Sequence, residues 1–315
     1  METGDKLSLE IDGKTIVAPC FGIVLYTAEN LSKHAEAVLG ALHAFERFCP
    51  RNQWAWYRTE NMTKRQRVTA RTAGLLGGWL APGSPPKDTI AIDINTGTPD
   101  WGATSEFNFS VYGEEVDPVP HNIDARWIYF TVPLSFVVDR LQELEQAALK
   151  LFDSLPFVSG FAGPMLEGSL YRERASQRFA WPTIMRFRGL EFCNAHSDCN
   201  AVAQDGMKTV SWLTFLGEGI TSELGGATAL GKRLAPHAEV IALRTGTCLK
   251  AGPRPELGDR HRGERLQNYE AVFKVCEPFI DRFINRHHGN YVMQLGGDER
   301  EKTIRFLRRL AYEDA

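Results

Sequence analysis

Apolar residues change their spacing repeatedly along this chain, and each change marks an element. Phe21-Gly-Ile-Val-Leu-Tyr-Thr27 is a nearly unbroken apolar run, the pattern of a strand buried on both faces. Leu31, Ala35, Val38, Leu42 and Phe45 follow at helical spacing until Pro50, which cannot continue a helix. A second helix is expected over Val68, Leu75, Leu76 and Trp79, ending before a loop or linker at Pro82-Gly-Ser-Pro-Pro86. Phe107, Phe109 and Val111 alternate with Glu106, Asn108, Ser110 and Tyr112, so this strand has one core face and one wetter face. Residues 126–132 supply its partner across the loop 113–124. Pro133 suits the first turn of the next helix, where no amide proton is needed, and Leu134, Val137, Val138, Leu141, Leu144, Ala148 and Leu151 form that helix's stripe.

Further strands are expected over 179–187, 209–215, 239–244 and 247–251, with a helix between Ile220 and Leu234. Tyr269, Phe273, Cys276, Ile280 and Phe283 mark another helix, and Ile304, Leu307 and Leu310 a short terminal one. Strand–helix–strand order recurs near 126–163 and 209–244 without a sequence repeat behind it. Hairpins mixed with crossovers predict an α+β fold, a mixed and largely antiparallel sheet covered by helices, with repeated strand–helix–strand units. The expected organisation is an N-terminal α/β portion over 1–104 packed on an α+β core over 105–285, with a C-terminal helical extension over 286–315, all in one compact unit.

Composition narrows the classes. The 315 residues are 43% hydrophobic and 24% charged, ordinary values for a folded globular protein with a large core. A formal net charge of −3 argues against a general nucleic-acid binder, which carries a strong basic excess, while remaining compatible with a basic protein partner. Residues 1–6 show no basic region leading into an apolar run, and no later segment has the length of a membrane span. The cytoplasm is the expected address, and the six scattered cysteines are expected as reduced thiols, with Cys276 in the core.

Candidate chemistry is sparse. Cys193-Asn-Ala-His196-Ser-Asp198-Cys199 gathers soft and hard ligands, but a tetrahedral zinc site needs a fourth ligand and no second cluster supplies one. His196 and Asp198 could instead begin a two-histidine, one-carboxylate iron site with His237 or His261; that chemistry favours a strand-rich barrel, and a polar loop accounts for the same residues. The segment from Gly226 to Arg233 falls one hydroxyl short of a phosphate-binding loop and is helical in pattern. Lys64, Arg65, Arg67 and Arg71 follow Trp54, Trp56 and Tyr57 on an expected helix; stacking on nucleic acid needs such residues, and so does a solvated face beside core aromatics. His287 and His288 sit where cations favour a helix end. Glu167, Glu191, Glu256 and Asp259 are possible acids or bases, each with a structural role in competition, and Asp259 after Gly258 can cap a turn. No nucleophile elbow or paired-carboxylate motif is present, and no cofactor is expected.

The most specific pattern is not catalytic. Gly160-Phe-Ala-Gly-Pro-Met-Leu-Glu167, Arg186-Phe-Arg-Gly-Leu-Glu191, Val210-Ser-Trp-Leu-Thr-Phe-Leu-Gly217, Leu224-Gly-Gly226 and Ala251-Gly-Pro-Arg-Pro-Glu-Leu-Gly-Asp259 follow one another in order. Over about 105–280 this order resembles type VI secretion immunity proteins of the TsiV type, with a looser match before it and departures at Pro164, Met165 and Gly168. The resemblance implies a cytoplasmic, non-enzymatic protein, encoded beside a toxic effector, that binds a DNA-cleaving nuclease and protects the producer. No catalytic residue carries over, and the blocks are expected to build scaffold. Glu114, Glu115 and Asp117, on the loop after the alternating strand, are the expected partner-binding residues, placed to meet a groove that receives DNA phosphates. A metal-dependent enzyme using His196 and Asp198, and an adaptor that escorts the effector, are the competing classes.

Overall fold

The computed structural model describes residues 7–59, 62–79, 89–97, 99, 102–114, 125–169, 172–203, 205–286, 295 and 299–311. The chain begins with β1 (Leu9–Ile11), which reverses at Asp12 and Gly13, both with positive φ, to pair with β2 (Lys14–Thr27). An Asp-Gly pair suits a two-residue hairpin because both of its central residues adopt left-handed backbone. There follow α1 (Ala35–Phe48), β3 (Trp56–Thr59), β4 (Gln66–Arg67), α2 (Ala70–Trp79), β5 (Thr89–Asn95), β6 (Asn108–Glu114) and β7 (Arg126–Pro133). The middle of the chain supplies α3 (Phe136–Asp139), α4 (Leu141–Phe152), β8 (Ser159–Gly168), α5 (Glu173–Arg186), β9 (Glu191–Cys193) and α6 (Ala195–Val202). Last come β10 (Leu213–Gly217), α7 (Glu218–Glu223), α8 (Gly226–Leu234), β11 (Glu239–Leu243), β12 (Gly246–Lys250), α9 (Gln267–Arg286) and α10 (Glu299–Leu307).

Among the described residues, twelve strands join one sheet in the order β11-β12-β10-β8-β2-β7-β6-β5-β3-β4, with β1 added to β2 and β9 to β8. Of these described pairs only β8–β9 is parallel. This is the mixed, largely antiparallel α+β architecture that the residue pattern predicts. Both expected strand–helix–strand units are present, and each straddles another strand: β7 and β8 both pair antiparallel with β2, and β10 and β11 both pair antiparallel with β12.

Strand alternation divides the sheet into two unlike faces. Phe109 and Val111 of β6, with Ile128, Phe130 and Val132 of β7, are buried on the side covered by α1. There Phe45 meets Trp54, Phe109 and Phe130 at ring-centroid distances of 6.3, 5.6 and 5.9 Å. The opposite face of the same strands carries Asn108, Ser110, Tyr112, Trp127 and Tyr129. All six cysteines are buried free thiols, Cys276 among them on the inner side of α9. Among the described residues no helix is long and apolar enough to cross a membrane.

Four expectations need correction. Residues 179–187 lie mainly in helix α5 rather than a strand; the buried stripe is Ser176, Gln177, Ala180 and Ile184, and its two polar members conceal the helical period. Pro182 sits inside that helix, and the Thr183 hydroxyl donates to the Phe179 carbonyl at 3.1 Å in the same turn. Pro133 is the last residue of β7, and the helix after it breaks at Arg140 into α3 and α4. Arg140 leaves helical backbone to place its guanidinium 4.5 and 5.3 Å from the Phe48 and Phe136 ring centroids, and Val138 is left 72% exposed. Arg67 lies on β4 and Lys64 and Arg65 precede it, so the basic run is not one helical face. Of 209–215, only 213–215 belong to a strand. The proline-rich 82–86 segment, His287 and His288 lie outside the described residues.

Glycine at 160 is demanded by packing. A Cβ there would lie 2.3 Å from the Val24 carbonyl oxygen and 2.4 Å from the Phe152 ring, which itself stacks on Phe215. Gly160→Ala is expected to destabilise the fold by roughly 2 kcal/mol, the usual scale of overpacking, seen as a lower urea midpoint with an unchanged slope.

Candidate functional site

The wetter face of β5, β6 and β7 opens into a recess of about 420 Å³. Alternation directs Asp93 and Asn95 from β5, Ser110 and Tyr112 from β6, and Trp127 and Tyr129 from β7 into it, while Glu167 enters from the end of β8. Arg58 on β3 and Arg65 before β4 reach in from the sheet edge, and Asn194 borders it from the β9–α6 connection. Tyr112 stacks on Trp127 with centroids 4.7 Å apart, and the Trp127 indole donates to the Ser110 hydroxyl at 3.2 Å. Arg58 pairs with Asp93 at 3.2 Å, and the Tyr129 hydroxyl donates to Glu167 at 3.2 Å. Burial pushes the Glu167 carboxyl up to about 8; the Tyr129 hydrogen bond and the charge of Arg65 oppose that rise, and Asp93 adds to it. Near neutral pH Glu167 is therefore a largely protonated acid in a polar, aromatic-walled recess.

Beside the recess lies a second polar group, closed to solvent. The Lys208 ammonium, 1% exposed, is 2.7 Å from Asp198 and 3.4 Å from Glu191. Arg309, just beyond α10, donates to Glu191 at 2.9 Å and to the carbonyls of Arg188 and Leu190 at 3.0 and 2.9 Å. Burial alone would push the Glu191 carboxyl up, but Arg309, Lys208 and local hydrogen bonds outweigh it and hold Glu191 below the usual carboxylate range. Burial likewise disfavours the Lys208 cation, yet Asp198 and Glu191 hold its pKa above the ordinary lysine value. Two anions and two cations thus balance inside the core.

That pairing decides how the sequence's metal candidates read. Asp198 faces Lys208, accepts from the Asn194 amide at 3.1 Å and from the Tyr26 hydroxyl at 3.4 Å, so a metal ion would have to displace an ammonium from it. His196 lies on α6, whereas His237 follows α8 and His261 sits in the short turn Arg260–Arg262. Among the described residues no three His, Cys, Asp or Glu side chains converge as a metal site. The segment from Gly226 is helix α8, not a phosphate-binding loop. Glu114 ends β6 opposite Thr89, while Glu115 and Asp117 lie outside the described residues.

The five sequence blocks come together as scaffold. Gly160 to Glu167 lie in β8, between β2 and β10. Arg186 and Asp259 form a bidentate pair at 2.9 and 2.8 Å, which joins the second block to the fifth. The Asp259 carboxyl falls to about 2, chiefly through the Arg186 hydrogen bonds, and it also caps the turn Arg260–Arg262 by accepting from the His261 amide. Gly189 donates its amide to the Leu257 carbonyl, and a Cβ there would lie 2.1 Å from the Glu256 oxygen. The Trp212 indole donates to the Gly252 carbonyl at 3.0 Å, and Gly225 and Gly226, with φ of 92° and 86°, separate α7 from α8. The Lys208 and Arg309 partners of Glu191 belong to no recognisable motif: Arg309 meets Glu191 from 118 residues away, and Lys208, though only 10 residues beyond Asp198, reaches it across the turn that follows α6.

The fold of this α+β protein, one continuous sheet with helices packed on it, is similar to that of the Pseudomonas aeruginosa T6SS protein PA0821. That structure superposes with a TM-score of 0.78 at 19% sequence identity, covering 97% of this chain and 87% of the other, a likeness of fold. The chain belongs to the TsiV family, type VI immunity for VRR-NUC, whose model matches residues 37–310. It is a type VI immunity protein. A comparison with curated protein sequences gives no match.

Two measurements follow from the buried groups. Lys208→Met leaves Asp198 and Glu191 short of a cation in the core and is expected to cost about 3–5 kcal/mol in chemical denaturation. Glu167 binds its proton more tightly folded than unfolded, so it lowers stability as pH rises from the ordinary carboxylate range to about 8. Glu167→Gln is expected to remove that slope and to raise the melting temperature at pH 8 more than at pH 5.

Proposed function

We propose that this immunity protein binds the VRR-NUC nuclease of its cognate effector directly and stops it from cutting the producer's DNA in the cytoplasm, without chemistry of its own. The observation that carries the reading is the family match, type VI immunity for VRR-NUC, over residues 37–310. Supporting it, Asp198, Glu191, Lys208 and Arg309 form one internal ion-paired group, and Arg186 and Asp259 form another. Side chains held this way brace a surface and are badly placed to turn over a substrate. Protection against a nuclease requires a complex that forms quickly and persists, because one escaped molecule can break a genome; electrostatic complementarity raises the rate of encounter.

Glu114, Glu115 and Asp117 belong to this reading as contacts to the groove in which the nuclease receives DNA phosphates. The test mixes the chain with the purified VRR-NUC domain of its cognate effector and follows heat of binding and plasmid cleavage. One-to-one association with loss of cleavage is expected, whereas an adaptor would associate and leave cleavage intact. Replacing all three acids with alanine is expected to weaken binding by about tenfold, mainly through slower association; an unchanged affinity removes them from the interface.

A further inference from the structure

One face of α5 does not fit the role of a solvated helix. Arg174, Arg178, Trp181 and Met185 recur at helical spacing on a single stripe, which flanks the buried Ser176, Gln177, Ala180 and Ile184. Arg174 and Arg178 are exposed, and Trp181 and Met185 are partly buried, with Trp181 resting on the edge of the core. The one acid of the helix, Glu173, is turned away from the stripe and accepts from Gln177 and Asn194 at 3.0 and 3.3 Å. Neither Arg174 nor Arg178 has a carboxylate partner among the described residues. Along the C-terminal half of the helix, Pro182, Met185 and Arg186 form one wall of a shallow recess of about 420 Å³, and Arg260 and His261 form the other. At the turn, Asp259 is bound by Arg186 and lies 3.6 Å from Arg262, and Glu264 accepts from the Asp259 amide, so these acids are engaged within the turn beside Arg186, Arg260 and Arg262.

From these residues we infer that the α5 stripe and the Arg260–His261 turn form a docking surface for a carboxylate-rich face of the effector's VRR-NUC domain. Tryptophan, methionine and arginine are the residue types enriched where protein partners meet, and tryptophan and arginine carry much of the affinity when a rim excludes water around them. The guanidinium fork of Arg174 and of Arg178 matches a carboxylate through two parallel hydrogen bonds. A chain with a net charge of −3 places this cationic strip against an acidic average, which marks it as local recognition and disfavours nucleic acid as the occupant. Asp259 holds the turn rigidly to α5 through Arg186, so the two walls meet a partner without being ordered first.

The inference rests on the proposed binding of a VRR-NUC effector, and the experiment separates the two. Wild-type chain, R174E/R178E and W181A are titrated by calorimetry into the purified VRR-NUC domain of the cognate effector, at low and high salt, after circular dichroism and melting show each variant folded. An affinity loss of about thirtyfold or more is expected for W181A and for R174E/R178E, the latter with a weaker salt dependence. Binding within twofold of wild type in both variants overturns the surface and leaves the proposed function standing. No binding by the wild type overturns both. A parallel titration with a 20-base-pair DNA duplex completes the test: binding that these substitutions abolish would assign the strip to nucleic acid and overturn the protein-partner inference.

Discussion

The fold depends on the double pairing of β2. Its residues 17–26 pair with β8 and 20–27 with β7, so most of the strand is hydrogen-bonded along both edges, and residues 20–27 are buried throughout. A strand so placed has no edge left to slip along, and a one-residue shift would turn Phe21, Ile23 and Leu25 out of one layer and into the other. That fixes the register of β7 and β8, and through them of β6 and β10. The α1 core and the polar recess are consequently opposite faces of one rigid object.

The buried charges do different work from the apolar core. Removing Glu191, Lys208, Asp198 and Arg309 from water carries a large desolvation penalty, which their mutual pairing offsets only when all four are present and aligned. Such a group adds little net stability over well-packed apolar residues of the same size. Its effect here is connectivity: it ties β9, α6, the approach to β10 and the segment after α10 to one point. The Arg186–Asp259 pair does the same for the end of α5 and the turn Arg260–Arg262.

Much of the fold was legible because its signals were local. The apolar run at Phe21 to Thr27, the alternation from Phe107 to Tyr112 and the helical stripe through Tyr269 and Phe283 each need only their own neighbours to be recognised. The Asp12-Gly13 hairpin is equally local, an Asp-Gly pair between two short strands. Failures occurred where tertiary partners override local pattern. In α5 the buried stripe includes Ser176 and Gln177, which only their surroundings make acceptable inside, and the helix that its own residues would extend breaks at Arg140, whose guanidinium lies over Phe136 one turn back and over Phe48, distant in sequence. The polar recess could not be read at all, since it requires the order of β3, β5, β6, β7 and β8. Nor does pairing appear in a sequence, so Asp198 looked like a ligand when it is the partner of Lys208.

This division also explains why the residues that identify the family carry so little chemistry. Glycines at 160, 189 and 217 sit where a methyl group would meet a carbonyl oxygen at 2.0–2.3 Å, and Gly225 and Gly226 hold backbone that other residues rarely adopt. These are requirements of the scaffold whatever it binds. Recognition has to be supplied by residues the scaffold leaves free, and outward-facing positions on a braced helix such as α5 can change without disturbing the core beneath them. A protein that must match one toxin can keep its frame fixed while its outer residues set the partner, because interface specificity is a difference in affinity made by a few exposed side chains.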